Sequence, residues 1–266
     1  MGLRVGVVLG SDHGYSGTTG RLVTELLDRL RADTAVEVDT VLTTDLDLGS
    51  SCPACLRCMT DGEQACPNFD RAAAARRVMD GADLVIFATP VHSFQVSASM
   101  KRFIDHFAYL IHRPAYIGRP AVLISSAAGG GHDAALEYLR SAVRRWGFHT
   151  VGQLGANGPG LARPGYRAKV DAALDDLAAE ALAAPTEPEP KPTTADLIGF
   201  RVAKILVDGG RDEGPVDAQY WDERGWFDAQ WWTDQKPPFV ANRIATLVEK
   251  KIRKGISEGS ADPYRG

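Results

Sequence analysis

The chain has 266 residues, 44% of them hydrophobic, and 30 basic against 34 acidic side chains give a net charge of −4. That length supports a full hydrophobic core, as one large domain or one domain with an appendage. The mild acidity argues against nucleic acid as a partner, because phosphate binding needs a basic surface. No apolar run approaches the roughly 20 residues of a membrane-spanning helix, so no membrane partner is expected.

The N-terminal stretch MGLRVGVVLGS reads as a strand entering a fold. It lacks the basic start, longer apolar core and small-residue cleavage site of a secretory leader, so a cytoplasmic setting is expected. Runs rich in Val, Ile and Leu lie at Leu3–Leu9, Val36–Leu42, Leu84–Ala88, Ala121–Ser125 and Thr150–Leu154. Helical patterns fall between them and after the last, at Thr18–Leu30, Asp70–Asp80, Val96–Leu110, Asp133–Trp146 and Tyr166–Ala183. The first run is almost wholly apolar, as a parallel strand covered on both faces requires. Strands alternating with helices imply right-handed crossovers and an α/β fold, a doubly wound five-stranded parallel sheet whose simplest order is 2-1-3-4-5.

The first strand runs into VVLGSDHGYSGTTGRL, which holds neither the Walker A pattern nor GxGxxG. Instead Ser11, Ser16, Thr18 and Thr19 interleave with Gly10, Gly14 and Gly17 at the start of a helix. Hydroxyls and backbone N–H groups converging at a helix N-terminus hold a phosphate dianion without a cation. A polar glycine-rich turn with an ordinary N-cap is the alternative. The place of the loop, after the first strand of an α/β pattern, favours the phosphate.

All four cysteines lie in SCPACLRCMTDGEQACP, at Cys52, Cys55, Cys58 and Cys66. In a reducing compartment, and three residues apart in a tight loop, they are poor disulfide partners. Structural zinc usually draws on two separated C-x2-C pairs. Consecutive x2 spacings followed later by C-P suit a cube-like iron–sulfur cluster, and four thiols complete one 4Fe–4S set. Zinc and free, redox-active thiols stay open as alternatives.

After the third strand comes LVIFATPVHSFQVSASMKRFIDHF. A proline-containing turn at the carboxyl end of a central parallel strand lies where this topology puts its ligand crevice. With GSxxxxSGTT before it and the cysteine loop between, about residues 3–155 resemble the flavodoxin-like NAD(P)H-dependent FMN reductases, and within that superfamily the iron–sulfur flavoproteins. Members show a GS-x-R loop ending in N-T, then S/T-P-V-Y and S-x-x-L-K-x-F-I-D-R. The resemblance implies a flavodoxin-like fold, an FMN cofactor, NAD(P)H as co-substrate and a 4Fe–4S cluster on the four cysteines. It places Ser11, His13, Ser16, Gly17, Thr18 and Thr19 on the FMN phosphate. It turns Pro90, Val91, His92, Ser93 and Phe94 beneath the isoalloxazine ring, with Lys101 and Asp105 beginning a structural helix surface. The chain departs from the pattern at His13, where the family has Arg, and at His92, where it has Tyr. The first departure weakens charge pairing to the phosphate, and the second puts a titratable ring where an aromatic hydroxyl would sit.

The segment SSAAGGGHDAAL follows the fourth strand. Gly129, Gly130 and Gly131 permit close backbone approach to a flat ligand, and Asp133 is placed to cap the next helix. In similar proteins this loop, here with Ser126, lines the flavin ring, while His132 reads as a surface residue at a helix start. No Ser–His–Asp set, carboxylate pair or metal–water site stands out. The resemblance implies instead a redox enzyme passing electrons between FMN and the cluster, from a small-molecule or protein donor to a small-molecule or protein acceptor. A non-enzymatic flavodoxin-like carrier is the alternative, as is a flavin reductase whose cysteine loop carries zinc or free thiols.

The resulting domain map has a first domain at 1–184 that includes the cysteine loop, a proline-rich linker at 185–194 and a mostly helical extension at 195–266. Helices are expected at Ala195–Val207 and Val240–Lys254, and GGRDEGPVDAQYWDERGWFDAQWW between them holds four of the five tryptophans. Such aromatics either lid a cofactor or pack a subunit surface. Packing on its own or a neighbouring subunit is expected, because Trp and Tyr dominate such interfaces. In similar proteins the electron path crosses a subunit interface, so a homodimer or homotetramer is expected.

Overall fold

Strands β1 (Leu3–Leu9), β2 (Val36–Leu42), β3 (Leu84–His92), β5 (Pro120–Ala127) and β6 (His149–Asn157) pair in parallel, in the order β2-β1-β3-β5-β6. The two-residue β4 (Gln95–Val96) folds back antiparallel on the end of β3. Among the parallel strands this is the order 2-1-3-4-5 expected from sequence. β4 escapes a periodicity reading because two residues show no alternation. The computed structural model describes residues 2–49, 51–185, 191–212 and 215–258. Half of the proline-rich linker, residues 186–190, and the polar tail from residue 259 fall outside those residues. Among the described residues, no helix is long and apolar enough to cross a membrane.

Helix α1 (Thr18–Asp33) places Leu22, Val23, Leu26, Leu27 and Leu30 on one stripe, the 3.6-residue spacing of a helix laid on a sheet. These side chains pack with Val5, Val7 and Leu9 of β1, Ile86 of β3, and Val170, Leu174 and Leu177 of α6 (Pro164–Ala183). Each fully buried aliphatic contributes about 1.5–3 kcal/mol. Arg29 pairs with Asp171 at 3.1 Å and Asp175 at 2.6 Å, and Arg167 with Glu25 at 2.6 Å, fixing α1 beside α6 at the partly exposed surface. The opposite face carries α3 (Ala73–Gly81), α4 (Ala98–His106) and α5 (His132–Arg145). Phe87 of β3 meets Phe148 at 5.2 Å and Trp146 at 6.3 Å there, and Trp146 continues to Phe103 and Phe107. The expected helix at Val96–Leu110 starts late because β4 takes its first residue, and it breaks after His106 into a 3-10 turn at Ala108–Ile111.

The chain divides into two units, and the division differs from the domain map read from sequence. Residues up to 54 and from 67 into the linker form the sheet unit; residues 55–66 group with everything beyond the linker. The cysteine loop is therefore split, with Cys52 on the sheet unit and the other three thiols on the second. The reason is packing: α2 (Arg57–Thr60) lies against α8 (Pro215–Glu223), a helix that sequence periodicity did not predict. In the second unit α7 (Thr194–Gly209) opens on a capping box between Thr193 and Asp196 and packs along α9 (Phe239–Ser257). Phe200, Trp221, Trp226, Trp231 and Trp232 make its aromatic core.

Candidate functional site

Backbone and hydroxyl contacts knit the carboxyl ends of β1 and β3 together. Gly10 closes β1 where a Cβ would run into Met100, and Ser97 Oγ donates to the Gly10 carbonyl at 2.6 Å. Ser97 also caps α4, accepting from the Met100 N–H at 3.2 Å, while its own N–H donates to Thr89 Oγ1 at 3.0 Å. Sequence reasoning overlooked Ser97 and Thr89. The signal was present, a serine three residues ahead of Met100 at a helix start.

Beyond β1 the chain makes a 3-10 turn at Gly14–Ser16. Ser16 Oγ donates to the His13 carbonyl at 2.7 Å, and the Tyr15 hydroxyl bonds Thr40 Oγ1 at 2.7 Å, tying the loop to β2. Burial raises the Tyr15 hydroxyl above its ordinary pKa. His13 and Ser16 are exposed, and Ser11 is buried. Helix α1 then starts at Gly17 with no side-chain cap and no acidic residue in its first turn. Its leading N–H groups have no intrahelical acceptor, and the helix end carries a partial positive charge. The two threonines split in role. Thr18 is half-buried, and its hydroxyl accepts from Arg21 Nη2 at 3.3 Å. Thr19 is buried, and its hydroxyl bonds Ser126 Oγ at 2.7 Å, so this pair joins α1 to β5 instead of facing outward. Arg21, which the sequence reading passed over, supplies a cation beside the loop that His13 replaces in the family pattern.

The turn after β3 is strained. Ser93 and Phe94 connect His92 to Gln95 as a two-residue hairpin with φ of 49° and 63°, both left-handed. Such turns favour Asn-Gly, because a Cβ is disfavoured there. Phe94 is 72% exposed, His92 and Ser93 are exposed, and Pro90 and Val91 are half-buried. The backing of this turn is Gly131, at φ +96°, where a Cβ would meet Phe94 and Val91.

The loop after β5 is braced by Asn157, whose Nδ2 donates to the Gly129 carbonyl at 2.7 Å and whose Oδ1 accepts from the Gly160 N–H at 2.7 Å. The Tyr166 hydroxyl accepts from the Asn157 N–H at 2.8 Å. Gly129 and Gly130 are exposed with nothing within 4 Å of where a Cβ would be. No protein atom among the described residues demands glycine at either position. His132 opens α5 with its side chain 27% exposed; its ring packs on Gly155 of β6, and its Nδ1 is buried without a hydrogen-bond partner.

The four cysteines form no disulfide: Cys52, Cys58 and Cys66 are half-buried and Cys55 is exposed. Among the described residues, no three His, Cys, Asp or Glu side chains gather into a metal-binding group. The loop thus carries its thiols in an open arrangement. Ala54 and Leu56 within it are left-handed, with φ of 51° and 57°.

A parallel sheet of this order, with an uncapped helix N-terminus after β1 and a strained turn and glycine run at neighbouring strand ends, defines the flavodoxin-like class of α/β proteins. Two solved structures share the fold. An NADH:FMN oxidoreductase in its apo form has a TM-score of 0.51 and 21% identity, over 70% of this chain and 92% of that one. An oxidoreductase from Corynebacterium diphtheriae has a TM-score of 0.51 and 18% identity, over 71% and 100%. Residues 3–158 match the NADPH-dependent FMN reductase family, and the chain belongs to that family. Its relatives include an iron-sulfur flavoprotein of Archaeoglobus fulgidus, 30% identical over 146 residues that make up 54% of this chain and 64% of that protein. Another is an iron-sulfur flavoprotein of Methanocaldococcus jannaschii, 26% identical over 200 residues, 71% of this chain and 91% of that one. The match thus spans just under two thirds of the Archaeoglobus protein's length.

Proposed function

We propose that the chain is an FMN-dependent oxidoreductase that draws electrons from NAD(P)H and exchanges them with a 4Fe–4S cluster on Cys52, Cys55, Cys58 and Cys66. The observation that carries the reading is the start of α1, a 16-residue helix with no cap and no carboxylate in its first turn, set at the carboxyl edge of the sheet. FMN fits the residues present there. The leading N–H groups of α1 and the Thr18 hydroxyl suit a phosphate dianion, and Arg21 offers a positive charge beside them. The turn at residues 90–94 and the open backbone of Gly129 and Gly130 suit a flat ring, with Asn157 holding the glycine loop in place. FMN, when bound, supplies hydride acceptance and conversion between two-electron and one-electron traffic. The protein's part is to seat the phosphate, set the ring against the β3 turn and leave one face open to the co-substrate.

For the cluster, the donor chemistry fits: four thiols outside any disulfide, with the x2 spacings that iron–sulfur ligation uses. Two relatives are named as iron-sulfur flavoproteins. The open loop must draw its thiols together to ligate one cluster.

The test is anaerobic purification followed by an ultraviolet–visible spectrum and flavin, iron and sulfide analysis. The expected stoichiometry is about one FMN, four iron and four sulfide per chain. Zinc in place of iron would remove the cluster half, and a colourless protein that takes up no FMN would remove the whole reading. Thr18→Val should weaken FMN binding about tenfold or more, the effect of losing a hydrogen bond to a charged group. Unchanged affinity would place the phosphate elsewhere.

A further inference from the structure

Two parts of the chain are unexplained by the flavin site: the Trp-rich extension, and the segment that bears Cys55, Cys58 and Cys66. They belong to one structural unit. Within residues 55–66 only Gly62 is buried, and Leu56 is 61% exposed, so the segment has no core of its own to fix three thiols. Its support is α8. Helix α2 packs on α8, and a Cβ on Gly62, at φ +93°, would stand 3.9 Å from Val216 Cγ1. At nine residues, α8 is too short to persist without tertiary contacts. It is held from behind by Trp221, fully buried, stacked on Phe200 of α7 at 5.7 Å and edge-on to Trp226 at 5.5 Å and Trp232 at 5.1 Å. Support therefore runs from α7 through the tryptophans to α8, and from Val216 to the thiol-bearing segment.

We infer that α8 is the positioning element of the cysteine loop, with Val216 as its contact and Trp221 as its anchor, and that the extension serves to hold Cys55, Cys58 and Cys66 for the cluster. The inference rests on the cluster reading above for its purpose, but not for its geometry. Ligands on a segment without a buried core of its own lose conformational entropy when they converge, and a preset support removes part of that penalty. Groups that hold metal ligands in place change metal retention about ten- to a hundredfold.

The test uses the full chain with Val216→Asp and the milder Val216→Ser, and with Leu247→Ala on the exposed face of α9 as a control in the same unit. Near-ultraviolet circular dichroism of the tryptophans verifies that each variant keeps the aromatic core. Two quantities are read: iron per bound FMN after chelator challenge, and the iodoacetamide alkylation rates of Cys58 and Cys66 in metal-free protein. Val216→Asp should speed iron loss and alkylation about tenfold, Val216→Ser less, and Leu247→Ala neither, while FMN content stays level. Wild-type rates in both Val216 variants would overturn the inference. If the wild-type protein binds no iron, the cluster reading falls, and the alkylation rates alone decide whether α8 positions the thiols.

Discussion

Ser93 and Phe94 occupy consecutive left-handed positions in an exposed hairpin, and each L side chain there costs about 1–2 kcal/mol. Strain of this kind persists where the surroundings enforce it and clusters at ligand sites. Gly131 against Phe94 and the pairing of Val91 with Val96 are the enforcing contacts. Ser93→Gly should therefore stabilise the flavin-free protein by about 1 kcal/mol, read as a rise in thermal midpoint. A fall would show that the turn is relaxed. The two threonines differ at the same scale: the Thr18 hydroxyl bonds Arg21, and the Thr19 hydroxyl bonds Ser126.

At the level of elements, the entry to α1 sets two effects against each other. Gly20 sits inside a helix, where replacement by Ala normally gains about 1 kcal/mol. Here a Cβ would land on the Gly14 carbonyl and the Tyr15 backbone, and overpacking of that sort costs about 1–3 kcal/mol. The clash is with main chain, which cannot swing aside, so it wins. Gly20→Ala should lower the thermal midpoint and, by displacing the loop ahead of α1, weaken FMN binding; calorimetry and a fluorescence titration read the two. A more stable variant with native affinity would mean that the loop does not depend on this close approach.

The stability of the whole molecule should respond to pH through His149, half-buried at the start of β6. Burial, and then the nearby Arg144 charge, hold its pKa below the usual 6.5. The unfolded chain therefore takes up this proton first. Stability is complete above about pH 6.5 and falls as pH drops from there toward the lowered folded-state value. His149→Gln should flatten that part of the profile, measured as thermal midpoints from pH 7.5 to 5; an unaltered slope would assign the acid sensitivity to other groups. The two-unit division bears on the same scale, since the residues proposed to hold FMN all lie on the sheet unit while three of the four thiols do not.

Apolar periodicity and strand–helix alternation by themselves determined the sheet, its order and the loops at its carboxyl edge, because those features are local or follow from handed crossovers. GSDHGYSGTTG, the PVHSF turn and the GGG run were visible as candidate site segments for the same reason. The tertiary structure alone decided which hydroxyls face the crevice, that Arg21 stands beside Thr18, and that Asn157 braces a loop 28 residues before it. It also decided the fate of the cysteine loop. A 12-residue polar segment without apolar anchors takes its place from whatever it packs on, and nothing in its own residues names a helix more than 140 positions downstream.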